Sequence, residues 1–368
     1  MRPTGTTALL ATTLLATLLA APAAAQTYSF TLTGPPGTLY NPATAISNNG
    51  NIAGIYSDAT GYHGYLLSSG AFTTLDVAGA QNGTYAFAVN DSAQVAGYYG
   101  TAAGPFQGFS YTPGTGNTLI TPPGANLETY ALSINATGQV AGNAQGTTFG
   151  GNGFVYSPAG GTYATQSVPG SAASYVATYT TAINNAGHTA GWFSSTDYPA
   201  NYLGYLEVGG TTTTFLAPGS AFTYVNGLNN ADQVVGTSVD TAGLSHGFIW
   251  DNGAFTMLDA PGAVFGTFAF GINTYGAVSG YFLDSANFAH GFVYANGSYA
   301  ILDAPGAVRG TWSEFGANIN DSGQVVGYYL DAGGWATGFR ADPIPEPASL
   351  ALLAAGLLAL PALRRRRN

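Results

Sequence analysis

The chain combines few charges with an acidic balance: 7% of its 368 residues are charged, the net charge is −10, and there is no cysteine and no lysine. This balance argues against nucleic acid as a partner, and the lack of cysteine excludes disulfides, thiolate metal sites and cysteine nucleophiles. With 53 glycines and 24 tyrosines, the composition is not that of a disordered chain and favours an all-β protein with many turns.

Residues 1–25 have the three parts of a secretory signal peptide. Arg2 lies in a short n-region, an apolar run covers residues 8–20, and Ala23-Ala24-Ala25 forms an A-x-A cleavage site before Gln26. We predict export through the Sec translocon and cleavage by signal peptidase after Ala25. An uncleaved anchor is disfavoured because the apolar run is shorter than the roughly 20 residues that span a bilayer.

One phrase then recurs seven times: an aliphatic residue usually followed by Asn, a turn that often contains Gly, and a short apolar run that ends in Gly. Its copies begin at intervals of 43 to 49 residues, at Ile46, Val89, Ile134, Ile183, Leu228, Ile272 and Ile319. The Asn can bond its own backbone and the turn Gly can take a positive φ, although Asp232 and Ala93 replace that Gly in two copies.

Each copy is followed by a Gly-aromatic pair and by a strand-like run that closes in a turn, often Pro-Gly. Each unit of about 45 residues therefore offers four short strands, which is the size of a propeller blade. The seventh unit stops after its third strand, at Phe339, and the missing fourth strand lies at residues 28–33. We predict a seven-bladed β-propeller over residues 26–342, closed by the N-terminal strand, which removes exposed sheet edges. An open β-solenoid is the alternative.

Three units carry a His before the Gly-aromatic pair: His63-Gly64-Tyr65, His246-Gly247-Phe248 and His290-Gly291-Phe292. These phrases resemble the HAF family of extracellular repeats, and the resemblance implies an extracellular repeat protein without assigned chemistry. Equivalent positions in different blades need not converge, so we expect half-buried histidines that bond a neighbouring strand rather than metal ligands. His188 is expected at the surface.

Several Asp residues recur at equivalent places: Asp58, Asp240, Asp284 and Asp331 after the second strand, and Asp76, Asp259 and Asp303 before the closing turn. We expect turn residues, because no Asp-x-Asp-x-Asp spacing gathers the six to eight oxygens that calcium needs. Of the tyrosine pairs at 98–99 and 328–329, alternation along a strand sends one member into the packing and leaves the other available to stack on a sugar. We predict no metal, no cofactor and no catalytic residue.

Residues that break the repeat are candidates for a ligand site. The seventh unit has an insertion at residues 309–315 that brings Arg309, Trp312 and Glu314 within six positions, and Glu128 and Glu207 have no repeat counterparts. A solvated loop is the favoured interpretation of the insertion. Paired carboxylates that hydrolyse a glycoside are the alternative.

The C-terminal segment, residues 343–368, has three parts in order: Pro345-Glu346-Pro347, a 16-residue apolar run from Ala348 to Leu363, and the cluster Arg364, Arg365, Arg366 and Arg367. The arginines favour retention of this end on the cytoplasmic side. The segment resembles the PEP-CTERM sorting signal, which implies processing by an exosortase. A plain C-terminal anchor is the alternative, and we expect membrane contact only through this tail before processing.

The sequence therefore predicts an inner-membrane-tethered precursor that is released to the cell surface or extracellular matrix. The favoured function is a non-enzymatic module that binds polysaccharide or a surface protein. A purely structural matrix component and an extracellular glycoside hydrolase or lyase are the alternatives.

Overall fold

The computed structural model describes residues 26–102, 104–146, 150–168, 178–194, 202–314 and 318–345. Among these residues no helix is long and apolar enough to cross a membrane. The predicted cleavage residues Ala23 and Ala25 lie outside the described residues, and so do the sorting residues Glu346, Pro347, Arg364, Arg365, Arg366 and Arg367.

The described chain forms 28 β-strands that follow the repeat. Unit 1 has β2 (Ala43–Ile46), β3 (Ile52–Asp58), β4 (Gly61–Ser68) and β5 (Ala71–Leu75). Unit 2 has β6 (Thr84–Val89), β7 (Val95–Gly100), β8 (Phe106–Thr112) and β9 (Gly116–Ile120). Unit 3 has β10 (Glu128–Ile134), β11 (Val140–Gly146), β12 (Gly150–Ser157) and β13 (Thr162–Gln166).

Units 4 to 6 repeat this order. Unit 4 has β14 (Thr178–Ile183), β15 (Thr189–Ser194), β16 (Tyr202–Val208) and β17 (Thr211–Phe215). Unit 5 has β18 (Ser220–Leu228), β19 (Val234–Asp240), β20 (Ser245–Asp251) and β21 (Ala254–Leu258). Unit 6 has β22 (Gly266–Ile272), β23 (Val278–Leu283), β24 (Ala289–Ala295) and β25 (Ser298–Leu302). Unit 7 has β26 (Thr311–Trp312), β27 (Val325–Leu330) and β28 (Ala336–Pro343), and β1 (Tyr28–Leu32) precedes unit 1.

Neighbouring strands of a unit pair antiparallel, so the protein is all-β and built from four-stranded sheets. Units 4 and 5 are joined into one eight-stranded sheet by a single parallel pairing of Tyr202 with Phe222. The first strand, β1, pairs with β28 in the order β1-β28-β27-β26, from Tyr28 opposite Pro343 to Leu32 opposite Phe339. The N-terminal strand therefore occupies the place of a fourth strand in unit 7.

The repeated phrase of the sequence is the hairpin between the first two strands of a unit. In this hairpin the Asn side chain accepts bonds from backbone N–H groups two and four residues later, as Asn90 does from Ser92 and Gln94. The turn residue has a positive φ in each copy, and Ala93 and Asp232 adopt the same conformation as glycine, with φ of 58° and 61°. We call these seven turns the Asn hairpins: Ser47–Asn51, Asn90–Gln94, Asn135–Gln139, Asn184–His188, Asn229–Gln233, Asn273–Ala277 and Asn320–Gln324.

A relay of hydrogen bonds links consecutive Asn hairpins. The side-chain amide of the leading Asn donates to the backbone carbonyl of the next hairpin, for instance from Asn90 to Asn135 at 2.9 Å, and this continues through Asn320. Asn320 then donates to Ser47, 273 residues away, at 3.0 Å. Ser47 has no amide to continue the relay, and Asn51 from the end of the same hairpin donates to Asn90 instead.

In six of the seven units, the Gly that ends the phrase is explained by a close approach of backbones. A β-bulge interrupts the pairing of the first two strands in units 1 to 6. In units 2 to 7 a Cβ on this Gly would overlap the carbonyl oxygen of the paired first strand, at Gly97, Gly142, Gly191, Gly236, Gly280 and Gly327.

The hydrophobic core lies between neighbouring units. The aromatic residue of each Gly-aromatic pair is almost fully buried: Tyr65, Phe109, Phe154, Tyr205, Phe248, Phe292 and Phe339. One cluster joins Val293 of unit 6 to Phe339 of unit 7, with Tyr28 and Phe30 of β1 packed against it. Another joins Tyr65 of unit 1 to Val326 of unit 7.

Candidate ligand-binding site

Half-buried aromatic residues gather where the first strands begin, at the end of the units opposite the Asn hairpins. Some lie near the start of the first or third strand of a unit. Others lie on the second strand, directly after the Gly that ends the repeated phrase. We call this set the aromatic belt: Tyr85, Tyr98, Phe106, Tyr130, Tyr179, Trp192, Tyr202, Tyr224, Phe268, Tyr281, Trp312 and Tyr328.

The rings of the belt contact each other within and between units. In unit 4, Trp192 stacks on Tyr179 with 4.0 Å between ring centroids, and its edge meets Tyr202 and Tyr224 at 5.1 and 5.3 Å. In unit 2, Tyr98 stacks on Tyr85 at 5.2 Å. Tyr98 also lies edge-on to Tyr130 of unit 3 at 4.9 Å. The belt thus offers several ring systems on one side of the molecule.

The first tyrosine pair, at 98–99, alternates as expected from strand geometry. Tyr98 belongs to the half-buried belt, whereas its neighbour Tyr99 is buried in a separate cluster with Val77 and Phe109.

Glu314 brings a carboxylate to the belt. Its Oε1 accepts a hydrogen bond from the hydroxyl of Tyr328, and Tyr328 stacks on Trp312 with 5.4 Å between centroids. Burial raises the pKa of the Glu314 carboxyl above its usual value, and the bond from Tyr328 offsets this only in part. Burial, followed by the charge of Glu314, raises the pKa of Tyr281 to about 12. Glu314 also contributes to the raised pKa of Tyr40, after burial and Tyr62.

The predicted ligand trio is therefore only partly assembled. Trp312 and Glu314 meet at Tyr328, but Arg309 is exposed on the preceding loop and makes no ion pair among the described residues. The predicted insertion was also misplaced. Thr311 and Trp312 pair with β27 in the register that Thr84 and Tyr85 have with β7, so they belong to an ordinary first strand.

The other two glutamates without repeat counterparts, Glu128 and Glu207, belong to units 3 and 4, whereas Glu314 belongs to unit 7. Glu128 starts β10 of unit 3, where burial and then its hydrogen bond raise the pKa of Tyr130 to about 12. Glu207 lies near the end of β16, and its Oε1 accepts a bond from the backbone N–H of Gly210. Glu207 is therefore a turn residue.

The three repeat histidines are each held between two aspartates. The Nδ1–Oδ1 distance is 2.8 Å for His63–Asp76, 2.7 Å for His246–Asp259 and 2.8 Å for His290–Asp303. On the other ring nitrogen, Asp58, Asp240 and Asp284 lie at 3.2, 3.6 and 3.4 Å. We call these groups the Asp–His–Asp clamps. The half-buried, strand-bonded histidines match the sequence expectation.

The roles predicted for the aspartates need one addition. Asp240, Asp284 and Asp331 accept backbone bonds within their own turns, as expected, and so does Asp58 from Thr60. Asp76, Asp259 and Asp303 were predicted only as turn residues, yet their carboxylates bind the histidines. Among the described residues, no group of three or more His, Cys, Asp or Glu is arranged to hold a metal ion.

His188 is more than a surface residue. Its side chain is half-buried, and Nδ1 lies 2.8 Å from Oδ1 of Asp232 in the next hairpin.

The clamps predict a pH-dependent stability. Partial burial alone would lower the pKa of His63, but hydrogen bonds and charges from Asp76 and Asp58 outweigh it and raise the pKa, and His246 and His290 behave alike. Because the folded-state pKa exceeds the unfolded one, the stabilisation is complete below about pH 6.5 and is lost as pH rises through the folded-state pKa.

We expect the denaturant concentration at the unfolding midpoint to decrease as the pH is raised from 6 to 9. A triple His63→Gln, His246→Gln, His290→Gln variant should lose most of that dependence, while Tyr275→Ala, at an exposed residue of an Asn hairpin, should keep it. A pH profile that is unchanged in the triple variant would contradict the role of the clamps.

Comparison with known proteins locates one motif and one fold. The PEP-CTERM protein-sorting motif matches residues 343–367, while the resemblance of the body to HAF repeats has no family match and stays a prediction. No curated protein gave a significant match. The β-propeller domain of the Trilobed protease from Pyrococcus furiosus is similar at a TM-score of 0.54 and 8% identity, over 83% of this chain and 94% of that one.

AofleA from Arthrobotrys oligospora has a TM-score of 0.45 and 15% identity, over 75% of this chain and 90% of its own. A lectin from Aleuria aurantia has a TM-score of 0.37 and 10% identity, over 72% and 96%. The four-stranded antiparallel sheets and the similarity to the Pyrococcus furiosus domain show an all-β protein with a propeller-like fold. Its sorting motif is that of an exported, membrane-anchored precursor that an exosortase processes for the cell surface.

Proposed function

We propose that this protein is a closed, seven-bladed propeller that binds extracellular polysaccharide at its aromatic belt without catalysing a reaction. The blade count and closure are supported by the Asn hairpins. Residues of all seven hairpin regions line one cavity of about 160 Å³, and the relay of amide bonds runs from Asn320 back to Ser47. The pairing of β1 with β28 supplies the closing strand.

The aromatic belt is the observation that carries the binding proposal. Sugars present apolar C–H faces and hydroxyl edges, and tyrosine and tryptophan side chains match both because an apolar ring carries a polar atom. The belt rings are half-buried rather than enclosed, whereas the Gly-aromatic rings of the core are sealed from solvent. The body is acidic, which favours a neutral polymer over an anionic one.

A hydrolase is the second candidate, and the raised pKa of Glu314 is the observation in its favour. Glycoside hydrolysis uses a pair of carboxylates, and Glu314 is engaged by the Tyr328 hydroxyl rather than by a second carboxylate. We therefore propose a binding role. Release of reducing sugar from a bound polymer that disappears in Glu314→Gln would replace this proposal with the enzyme.

The binding prediction concerns Trp192. We expect the exported protein to bind at least one neutral polysaccharide from a panel of glucans, mannans and galactans in an affinity pull-down. Trp192→Ala should weaken that binding at least about tenfold, because central aromatic residues carry most of the binding energy of an interface. Trp312→Ala in unit 7 serves as a second variant.

Tyr275→Ala is the matched control, because Tyr275 is 80% exposed on an Asn hairpin at the opposite end of the units. Thermal unfolding of each variant separates loss of binding from loss of fold. Equal losses in Trp192→Ala and Tyr275→Ala, or no binding by the unaltered protein, would contradict the proposal.

A further inference from the structure

A cavity of about 520 Å³ opens between units 1 and 2, beside the first Asp–His–Asp clamp. Its wall includes Tyr62, His63, Asp76, Gln81, Asn82 and Tyr85. Tyr85 also belongs to the aromatic belt, so the cavity lies next to the belt. It differs from the belt because it joins a carboxylate, two amide side chains and a ring around one open cavity.

We propose that this cavity is a second ligand site, which takes a single neutral sugar ring with two adjacent hydroxyl groups. This site goes beyond polymer binding at the belt and does not depend on it. A cavity of this size is typical of small-ligand sites, which combine an apolar wall with a few placed polar groups.

The carboxylate of Asp76 supplies the hydrogen-bond acceptor. Its side chain is 54% exposed, and Oδ1 is bonded by His63 at 2.8 Å. A carboxylate has about four acceptor positions, so the remaining ones can receive a pair of adjacent hydroxyl groups. His63 fixes the orientation of this carboxylate because its other nitrogen is held by Asp58.

Tyr62 supplies the apolar wall. Its side chain is 45% exposed and stacks on Tyr85 with 5.9 Å between ring centroids. Tyr40 packs edge-on against it at 5.7 Å, which leaves the ring supported but not enclosed. A supported, exposed ring of this kind can receive the C–H face of a sugar.

The loop that carries the two amides is held before any ligand binds. The backbone N–H groups of Gln81 and Asn82 both donate to the carbonyl of Gly100, at 2.9 and 3.2 Å. Gly83 follows with a φ of 89°, and a Cβ there would meet Cβ of Tyr62 at 2.7 Å. Only glycine fits this approach, and the pre-ordered loop loses little entropy when a ligand binds.

Charge decides which sugars fit. The clamp has two carboxylates and one imidazole, so its net charge is negative even when His63 is protonated. Arg309 and Arg340 are the two arginines among the described residues, and neither lines the cavity. A uronic acid would bring a second negative charge to Asp76, so we expect neutral sugars to bind and uronates to be rejected.

The clamp of unit 1 differs from the clamps of units 5 and 6 because an aromatic ring lies beside it. The residue before the clamp His is Tyr62 in unit 1 but Ser245 in unit 5 and Ala289 in unit 6. The clamps of units 5 and 6 therefore lack the ring that Tyr62 provides in unit 1. The proposal is restricted to the cavity of unit 1.

Saturation-transfer NMR with methyl glycosides of glucose, galactose, mannose and glucuronic acid tests this site in the exported protein. We expect at least one neutral glycoside to bind and the glucuronide to give no signal. Tyr62→Ala should weaken the binding about tenfold and Gln81→Ala a few-fold, because one removes the wall and the other a hydrogen-bonding amide. Phe288→Ala, at a 46% exposed aromatic residue beside the clamp of unit 6, is the matched control.

Trp192→Ala distinguishes this site from the belt. Binding of the methyl glycoside should survive Trp192→Ala, although polymer binding falls. Glycoside binding that is lost in Trp192→Ala and kept in Tyr62→Ala would overturn the cavity proposal and leave the belt proposal standing. Preferential binding of the glucuronide, or no glycoside binding at all, would also overturn it.

Discussion

Gly236→Ala is expected to lower the free energy of unfolding by more than about 3 kcal/mol, because the added methyl group overlaps a backbone atom that cannot rotate away. A Cβ at Gly236 would collide with the carbonyl oxygen of Tyr224 on the paired strand and approach the buried ring of Phe248. The bulge beside Val225 brings the two backbones this close. Relief requires that β18 and β19 separate.

Gly247→Ala in the same unit is the matched control. A Cβ there would lie 3.2 Å from Cβ of Leu258, and 3.3 Å from both Cβ of Ala269 and the carbonyl oxygen of Leu258, so these contacts are tight but do not overlap. Its cost should be about 1 kcal/mol, at the low end for overpacking. Chemical denaturation of both variants measures the difference, and equal midpoints would show that the bulge is not a constraint.

A disulfide between Thr31→Cys and Arg340→Cys is expected to raise stability by about 3–5 kcal/mol. These positions are paired across β1 and β28, and Cα atoms of antiparallel pairs lie about 4.5–5.5 Å apart, within disulfide range. The bond would close a loop that contains almost the whole described chain, and long loops give the largest reduction of unfolded-state entropy. The loss of the Arg340–Asp342 pair costs little because the pair is partly exposed.

The chain has no cysteine of its own, so the result is read without competing thiols. The double variant should run as a compact species on a non-reducing gel, and its melting temperature should drop to that of the single variants after reduction. Absence of an intramolecular bond under oxidising conditions would argue against the closing strand.

The parts of the fold that follow a local rule were predictable from the sequence. Repetition of the Asn-turn-Gly phrase placed the hairpins, and the incomplete last unit pointed to residues 28–33 as its partner strand. The Ala93 position needed no new conformation, since its φ of 58° lies in the same left-handed region as the 73° to 83° of its glycine counterparts.

The side-chain partnerships were not predictable, because they depend on register between strands and not on spacing along one. His63 and Asp76 are 13 residues apart on adjacent strands, and nothing local links them. Asn51 replaces the missing amide of Ser47 from four positions away, which is visible only once the hairpin is folded. The position of Glu314 follows from the pairing of β26 with β27 in unit 7. Interpreting this segment as an insertion hid that pairing in the sequence.

The two ends of the body meet at one corner. The side chain of Gln26 donates to the carbonyl of Ile344 at 2.6 Å, and the N–H of Ile344 donates to Thr27 at 2.8 Å. This corner lies at the Asn-hairpin end, where Cγ of Pro343 is 3.6 Å from where a Cβ of Gly323 would stand. Gln26, which follows the predicted signal-peptide cleavage site, and Pro345, which begins the Pro-Glu-Pro motif, therefore lie near the same edge of the last unit.

The position of this corner has a consequence for the orientation of the predicted membrane-tethered precursor. Four residues, 344–347, separate the last strand from the apolar run, and fully extended they reach at most about 14 Å. For a precursor held by the predicted membrane tail, we therefore expect the Asn hairpins to be turned towards the lipid and the aromatic belt to open towards the medium. On the binding role proposed above, a polymer too bulky to enter the gap beneath the body would meet the belt first, so we expect ligand capture to precede processing of the tail.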